Sequence, residues 1–346
     1  MKVSDEFTCI CCGGRSCSDA RPFVLRSPAD KALFGDRAIV RCDDCGLFQI
    51  DRCPTDEQLE TYYSSTYRKD GQYGPNQKTI DRFPYDNPRA LSRGRALRDL
   101  HDRFSNAAER QLRVLEIGSG YGYNLSAFRE RSETVSLTAL EPDAGCIKHL
   151  EKLGASVFPR MLTRDEDVGD LCAEGKFDVV ILAHVLEHVP DPVKFLSRTL
   201  ACVAKSGHLL IEVPNCPAAY KTWHHTPHVG FYDADSLAGV AERAGGLVDF
   251  VSGCASSIPE RVRRVRRHEK TPRLLLKLER GLLACGYRFV PPKADNNRRE
   301  DVDAVVARVF PELQVKRKDR IPYAVFGSYA ASRDGGFLRA VVRPQS

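Results

Sequence analysis

The stretch RVLEIGSGYGYNL (113–125) decides the fold of this 346-residue chain. It opens with a nearly continuous apolar run that ends at Ile117, a pattern typical of a parallel strand covered on both faces. Gly118, Gly120 and Gly122 follow in alternation. A turn built on glycines lets the backbone pass close to a bound ligand, because no Cβ intrudes and a positive φ is accessible. The stretch therefore predicts a buried strand, a ligand-binding turn and a helix.

The chain beyond this stretch alternates further apolar runs with helix-like segments. The predicted strands are SLTALE (136–141), FDVVILA (177–183) and GHLLIEV (207–213). One helix is marked by Asp191 as N-cap and Pro192 in its first turn, and another begins near Asp235 and ends at Gly245. This alternation predicts an α/β fold with a Rossmann-like, doubly wound sheet.

The residues at the strand ends indicate which cofactor the turn takes. A nicotinamide fingerprint would place Gly or Ala where this chain has Tyr123, so a nicotinamide oxidoreductase is disfavoured. The second strand ends at Glu141-Pro-Asp143, which places carboxylates where ribose hydroxyls can donate to them. The third ends at His184, at the sheet edge where ligands of open α/β sheets bind.

Three segments in order carry a family resemblance: EIGSGYG (116–122), the acid Glu141, and HVLEHVPDP (184–192). Over about residues 112–250 the chain resembles the class I S-adenosylmethionine-dependent methyltransferases, and IEVPN (211–215) is similar to the fifth strand of that family. The resemblance implies methyl transfer with S-adenosylmethionine as cofactor. It implies a cofactor site made of Glu116, Gly118, Gly120, Gly122, Glu141, Asp143 and His184.

Cysteines concentrate at the amino terminus, where seven of the thirteen lie in the first 53 residues. Because MKVSDEFTCI (1–10) shows no export signal, we expect a cytoplasmic protein with reduced thiols or metal ligands. Two C-x-x-C pairs predict a four-sulfur site for structural Zn²⁺, with the ligands Cys9, Cys12, Cys42 and Cys45. Replacement of one of these ligands by Cys11 or Cys17 is an open alternative. A redox role is disfavoured because neither pair opens a helix in a βαβ unit.

Residues 42–68 resemble the zinc-ribbon leader of a methyltransferase subfamily that acts on sugars and other secondary metabolites. This implies a small-molecule acceptor such as a sugar, a nucleotide sugar or a secondary metabolite. The sugar C-methyltransferases of that subfamily carry H-E-H in a later loop, where this chain has Thr226, Pro227 and His228. Loss of the carboxylate favours a hydroxyl or amine acceptor, and C-methylation of a nucleotide-linked deoxysugar is the alternative.

A hydroxyl acceptor must lose a proton, and histidine suits that task because its unperturbed pKa of about 6.5 leaves it largely neutral at pH 7. His228 is the first candidate for the base. His225 in the same loop and His188 in the HVLEHVPDP segment are the other catalytic candidates. His225 has the alternative of a polar loop residue, and His188 that of a packing or capping residue.

The domain organisation follows from these segments. Thr55 and Gln58 predict a capping box for a short helix, and the helical pattern from 90 to 104 leads into the catalytic domain. The predicted regions are a zinc-ribbon module at 1–55, a helical linker or cover at 56–105, an S-adenosylmethionine-binding catalytic domain at 106–256 and a C-terminal extension at 257–346.

Charge and hydropathy limit the partners. The net charge of the whole chain, +6, equals that of one run, RVRRVRRHEKTPR (261–273). This run is either the solvated face of a helix or a site where Arg263 and Arg264 bind an anionic acceptor. A zinc-ribbon nucleic-acid-binding or modifying protein is the alternative from another class, but charges in 1–53 nearly balance. No apolar run approaches the roughly 20 residues of a membrane span.

Overall fold

The computed structural model describes residues 7–23, 28–62, 88–105, 111–130, 132, 134–162, 165–173, 175–216, 228–254 and 337–345. None of the helices in these ranges combines the length and apolar content that a bilayer span requires. The arginine run of 261–273 lies outside the described residues.

The strands and helices follow the predicted alternation. The strands are β1 (Cys17–Pro22), β2 (Ala38–Cys42), β3 (Phe48–Ile50), β4 (Arg113–Ile117), β5 (Ser136–Leu140), β6 (Ala155–Phe158), β7 (Phe177–Ala183), β8 (Val203–Pro214), β9 (Gly230–Phe231), β10 (Gly246–Cys254) and β11 (Phe337–Pro344). The α-helices are α1 (Pro28–Phe34), α2 (Asp56–Thr61), α3 (Pro88–Phe104), α4 (Tyr123–Arg129), α5 (Ala144–Lys152), α6 (Asp165–Leu171), α7 (Pro192–Ala201) and α8 (Ala234–Arg243). A short 3₁₀ helix, Leu186–His188, follows β7.

A seven-stranded sheet is the centre of the fold, with the order β10-β11-β8-β7-β4-β5-β6. The pairs from β6 across to β8 are parallel, and β11 runs antiparallel to both β8 and β10. Two buried apolar clusters cover its faces, which explains why β7 shows six buried residues in succession. The predicted Rossmann-like sheet is confirmed.

The local signals for helix starts are also confirmed. Asp191 caps α7 by accepting a hydrogen bond from the Lys194 amide at 3.0 Å. Thr55 and Gln58 form the capping box of α2. The helix expected near Asp235 begins one residue earlier, because Asp233 is its N-cap.

The carboxyl end of the chain belongs to the central sheet, which corrects the predicted division at residue 256. β11 was placed by sequence in the C-terminal extension, but it pairs with β8 on one side and β10 on the other. Four of its five buried residues are apolar, namely Leu338, Ala340, Val341 and Val342. They explain the position, because such a strand is stabilised by burial between two neighbours.

A second, four-stranded sheet joins the cysteine-rich region to the catalytic region. Its order is β1-β2-β3-β9, so three strands from the first 50 residues are completed by Gly230–Phe231. Phe48 pairs with Phe231 and Gln49 with Gly230. The predicted module at 1–55 and the predicted domain at 106–256 therefore share a sheet.

Candidate active site

The glycine turn lies at the carboxyl edge of β4 and has the backbone that its sequence predicts. Gly118, Gly120 and Gly122 have φ of 71°, 53° and 79°, which favours residues without a Cβ. A Cβ at Gly118 would lie 2.6 Å from the Val185 side chain, so this glycine permits close packing of the segment after β7. Apart from its two chain neighbours, none of the described residues has an atom within 4 Å of a Cβ added at Gly120, so this part of the structure leaves the turn open there to a ligand. This open glycine cradle fits the cofactor implied by the sequence.

Glu141 is fixed beside that open position. Its Oε2 accepts a hydrogen bond from the Gly120 amide at 2.7 Å, and its Oε1 accepts one from the Asp143 amide at 3.0 Å. The Asp143 carboxylate accepts instead from the Gly145 amide at 2.6 Å and caps α5. Glu141 is thus held at the turn through both of its oxygens, and the contacts of Glu141 and Asp143 with a cofactor stay predictions.

Glu116 lies buried beneath the turn. Its Oε1 accepts a hydrogen bond from Asn124 Nδ2 at 2.6 Å, whereas its Oε2 is buried with no hydrogen-bond partner among the described residues. Burial raises the pKa of Glu116 to about 8, although the hydrogen bond from Asn124 opposes the change. A buried carboxyl oxygen without a partner among the described residues fits a cofactor that brings a hydrogen-bonding group.

This pKa predicts a pH-dependent effect of Glu116→Gln on stability. The folded protein holds the Glu116 proton more tightly than the unfolded chain does. The protonated carboxyl therefore contributes to the free energy of unfolding below pH 4.5, and this contribution is lost as the pH rises through about 8. Glutamine cannot ionise, so between pH 5 and pH 9 the wild type should lose stability that the variant keeps. The melting temperature of the variant minus that of the wild type should therefore grow, by roughly 2–4 °C for each kcal/mol that the wild type loses. Differential scanning calorimetry across this range measures it. Parallel curves for the two proteins would contradict the buried, protonated carboxyl.

His184 follows β7 in a strained conformation, with φ of 61°, which costs a non-glycine residue about 1–3 kcal/mol. Two buried carboxylates hold it: Nδ1 lies 3.3 Å from Glu187 Oε1, and Nε2 lies 3.2 Å from Glu212 Oε1. Burial lowers the pKa of His184, but the hydrogen bonds to Glu187 and Glu212 outweigh burial and raise it. The sequence assigned His184 to the cofactor, and the structure places it in an ion network whose contact with a cofactor stays a prediction.

Two arginines complete this network, and neither was predicted to have a role. Arg339 Nε donates to Glu212 Oε2 at 2.6 Å, and Arg93 Nε lies 3.8 Å from Glu212 Oε1. Burial raises the pKa of Glu212, yet Arg339 and His184 hold it well below its usual range. Glu212 lies two residues before the end of β8, so it could have been found as another acid near a strand end, whereas no local signal marks Arg339.

Glu187, His188 and His228 form a second cluster at the same edge. Their ligand atoms lie within 4.8 Å of one another, and the two imidazole rings meet edge to face with centroids 4.7 Å apart. Glu187 is buried, but His184 and the nearby His188 lower its pKa, so the cluster contains an ionised carboxylate. Such a cluster could bind a proton or a cation. The structure brings the predicted residues His188 and His228 together, and His225 lies outside the described residues.

The predicted cysteine ligands converge on one point. Sγ of Cys9 lies 3.5 Å from Sγ of Cys45, and Sγ of Cys12 lies 3.6 Å from Sγ of Cys42. Ligands about 2.3 Å from a tetrahedral metal are about 3.8 Å apart, so these separations fit a Zn²⁺ ion. Cys11 and Gly14 donate their amides to Sγ of Cys9 and Cys12, each at 3.4 Å, which favours the thiolate form. The four cysteines could therefore hold a structural metal, and neither Cys11 nor Cys17 belongs to the group.

Comparison with known proteins agrees with this geometry. Residues 89–246 match the family model of the methyltransferase domain. The chain is 33% identical over 111 residues to the ubiquinone biosynthesis O-methyltransferase of Xanthomonas campestris pv. campestris (strain B100), which covers 31% of this chain and 46% of that protein. The corresponding protein of Actinobacillus pleuropneumoniae serotype 5b (strain L20) is 32% identical over 107 residues, covering 30% and 46%. The chain thus spans about half the length of these curated relatives.

Solved structures also include similar chains. The plantazolicin methyltransferase BpumL in complex with SAH is 11% identical, with a TM-score of 0.44 over 83% of this chain and 94% of that one. The 1,6-didemethyltoxoflavin-N1-methyltransferase of Burkholderia thailandensis, with bound 1,6-didemethyltoxoflavin and S-adenosylhomocysteine, is 18% identical, with a TM-score of 0.42 over 67% and 91%.

Proposed function

We propose, from the premise that residues 89–246 of this chain form an S-adenosylmethionine-dependent methyltransferase domain, that the protein methylates a hydroxyl or amine of a small molecule. The observation that carries the proposal is a convergence at one edge of the sheet. The open glycine at Gly120 and the acid Glu141 lie there after β4 and β5, and His188 and His228 lie there after β7 and β8. In open α/β sheets this edge is where ligands bind.

The cofactor would lie over the glycine turn. Glu141, fixed by the Gly120 amide, would accept hydrogen bonds from its ribose, and Glu116 would present its unsatisfied Oε2 from below. S-adenosylmethionine, when bound, supplies a methyl group on a sulfonium that is already a good leaving group. The chain therefore has three tasks: to align the acceptor, to exclude water and to remove a proton.

His228 is the proposed base. It would accept the acceptor hydroxyl proton on a ring nitrogen as the oxygen forms its bond to the methyl carbon, and the methyl–sulfur bond would break with its electron pair left on sulfur. The ionised Glu187 beside His188 and His228 favours the imidazolium that forms. His188 would support His228 by packing edge to face against it.

The proposed class of acceptor is argued from the zinc-ribbon-like leader, residues 42–68, and from one sequence difference. A sugar, nucleotide sugar or secondary metabolite is proposed, because the cysteine-rich leader is similar to that of enzymes acting on such compounds. Thr226 and Pro227 replace the His-Glu pair of sugar C-methyltransferases, which favours oxygen or nitrogen over carbon as the methylated atom. The O-methyltransferases among the relatives support the same choice. C-methylation of a nucleotide-linked deoxysugar is the competing outcome.

The four-cysteine group is proposed to hold Zn²⁺ in a structural role.

Cofactor recognition is tested by thermal shift. S-adenosylhomocysteine should raise the melting temperature, with a stabilisation of about 2.7 kcal/mol at 100 times Kd, and NADH should not. Glu141→Gln should weaken S-adenosylhomocysteine binding by about tenfold or more, because hydrogen bonds to a charged group are among the stronger ones. Glu130→Gln, at the end of α4 away from the turn, is the matched control and should bind as the wild type does. Stabilisation by NADH alone would overturn the proposal.

The acceptor is sought by mass spectrometry of candidate metabolites for a gain of one CH₂. A gain on an oxygen or nitrogen atom supports the proposal, and a gain on a sugar carbon selects the competing reaction. Tight, salt-sensitive retention of RNA or DNA on filters would instead select the nucleic-acid alternative.

A further inference from the structure

The segment that carries His228 is held from two sides. The Val229 amide donates a hydrogen bond to the Glu187 carbonyl at 2.7 Å, and the Val229 carbonyl accepts one from the Ile50 amide at 3.0 Å. The first bond ties the segment to the 3₁₀ helix that contains His188. The second ties it to β3, a strand of the cysteine-rich region.

The strand β3 is in turn fixed to a metal-binding turn by one buried side chain. Gln49 is 1% exposed. Its Oε1 accepts a hydrogen bond from the Ile10 amide at 2.8 Å, and its Nε2 donates to the Thr8 carbonyl at 3.1 Å. Thr8 and Ile10 are the two neighbours of the ligand Cys9, so Gln49 clamps the backbone on both sides of it.

The same strand continues the connection to the histidine segment. Gln49 pairs with Gly230 and Phe48 with Phe231 in the antiparallel ladder of β3 and β9. Apolar packing follows the same route, because one buried cluster combines residues from both regions: Phe23, Ile39, Phe48, Ile50, Cys216, Val229 and Phe231. An unbroken set of hydrogen bonds therefore runs from the Cys9 turn through Gln49 and β3 to the residue after His228.

We propose that the cysteine-rich region forms one side of the active site and that Gln49 is a positioning residue. Through Gln49, metal binding by the four cysteines sets the position of His228. The proposal rests on the proposed function for the role of His228 as base. In physical terms, the metal fixes the turn that contains Cys9, the turn fixes β3 through Gln49, and β3 sets the position of β9. An apolar residue at 49 would leave the Ile10 amide and the Thr8 carbonyl without their partner, and the ladder would loosen.

The test compares Gln49→Leu with Gln58→Leu. Gln58 is a matched control, because its side chain also bonds to backbone atoms of this region, including the Leu33 carbonyl at 2.6 Å and the Thr55 amide at 3.0 Å. Within the described part of the chain, its side-chain bonds do not reach β3 or β9. Both zinc-loaded proteins are followed by hydrogen–deuterium exchange. In Gln49→Leu, the amides of residues 228–232 should exchange about tenfold faster than in the wild type, whereas Gln58→Leu should leave them unchanged.

A second measurement follows the imidazole directly. In protein labelled at histidine Cε1, the His228 resonance, assigned with His228→Asn, should shift or split in Gln49→Leu and keep its position in Gln58→Leu. Unchanged exchange and an unchanged resonance in Gln49→Leu, or equal changes in both variants, would overturn the proposal. If Gln49→Leu does not retain the metal, Gln49→Glu replaces it, since that side chain keeps an acceptor for the Ile10 amide and loses only the donated bonds.

These measurements need neither cofactor nor acceptor, so their outcome is separate from that of the proposed function. A chain that does not bind S-adenosylhomocysteine fails the proposed function and can still show the coupling. Once an acceptor is known, Gln49→Leu should lower kcat about tenfold and leave the Kd for S-adenosylhomocysteine unchanged. A loss of thermal stability with an unchanged kcat would identify Gln49 as merely structural.

Discussion

Replacing Cys42 with serine is expected to abolish metal binding and to unfold the cysteine-rich region. Cys42 is fully buried, and its Sγ lies 3.6 Å from that of Cys12 across the four-sulfur group. Structural Zn²⁺ in small domains contributes about 10–16 kcal/mol of apparent binding free energy, much of which becomes folding free energy. Elemental analysis should find one zinc per wild-type chain and close to none in the variant, and calorimetry should show the loss of stability.

Cys17→Ser and Cys11→Ser are the controls. Cys17 pairs with Cys42 in the ladder of β1 and β2, so its surroundings are similar, but neither Cys17 nor Cys11 belongs to the four-sulfur group. Both variants should keep the metal. Zinc lost from either of them, or kept in Cys42→Ser, would show that the ligands are not Cys9, Cys12, Cys42 and Cys45.

The effect of Cys42→Ser should also reach the catalytic region. The region that would unfold contributes three strands to the sheet that β9 completes, and the Ile50 amide that binds the Val229 carbonyl is one of its groups. Without these partners, β9 loses its neighbouring strand, and the Val229 amide keeps its bond to the Glu187 carbonyl, as the Tyr232 carbonyl keeps the bond from the Cys216 amide. Faster amide exchange at 228–232 is therefore expected in this variant as well as in Gln49→Leu.

The features that the sequence predicted well are those with local causes. Strand β7 is a run of apolar residues with a single acid near its start, and both its ends were predicted because a strand buried on two faces leaves an uninterrupted pattern. The caps at Thr55 and Asp191 are formed by side chains that bond within three residues of themselves. The grouping of Cys9, Cys12, Cys42 and Cys45 was predicted because two C-x-x-C pairs restrict the geometry locally, and metal binding by the group stays a prediction.

The features that the sequence missed depend on distant partners. The strand β9 has only two residues, and nothing in Gly230–Phe231 indicates that β3 lies beside it. Arg339 reaches Glu212 across 127 positions of the chain, and its role appears only when β11 is inserted next to β8. The 3.3 Å contact of Glu187 with His184 is local, but its place beside His228 depends on the return of the chain from β8.

His228→Asn should produce the largest loss of activity. Asparagine keeps a polar side chain near His188 and Glu187 but cannot accept a proton, and a positioned base contributes roughly 10²–10⁴-fold to a rate. We expect kcat toward a hydroxyl acceptor to fall by about that factor, with the Kd for S-adenosylhomocysteine within about twofold of the wild type. Because only the neutral imidazole accepts a proton, wild-type kcat should decrease toward acid pH, and the residual activity of the variant should lack this acid limb.

His188→Asn separates the base from its neighbour. Its ring lies 4.7 Å from that of His228, so its removal should disturb the packing of the base and lower kcat by less than the loss of the base does. His225→Asn, in the loop outside the described residues, serves as the third member of the series. The base would be His188 or His225, and not His228, if the variant of that residue shows the large loss of kcat and lacks the acid limb of the pH profile, while His228→Asn retains that limb. The glycine turn and Glu141 would still hold the cofactor, because their contacts do not depend on which imidazole takes the proton.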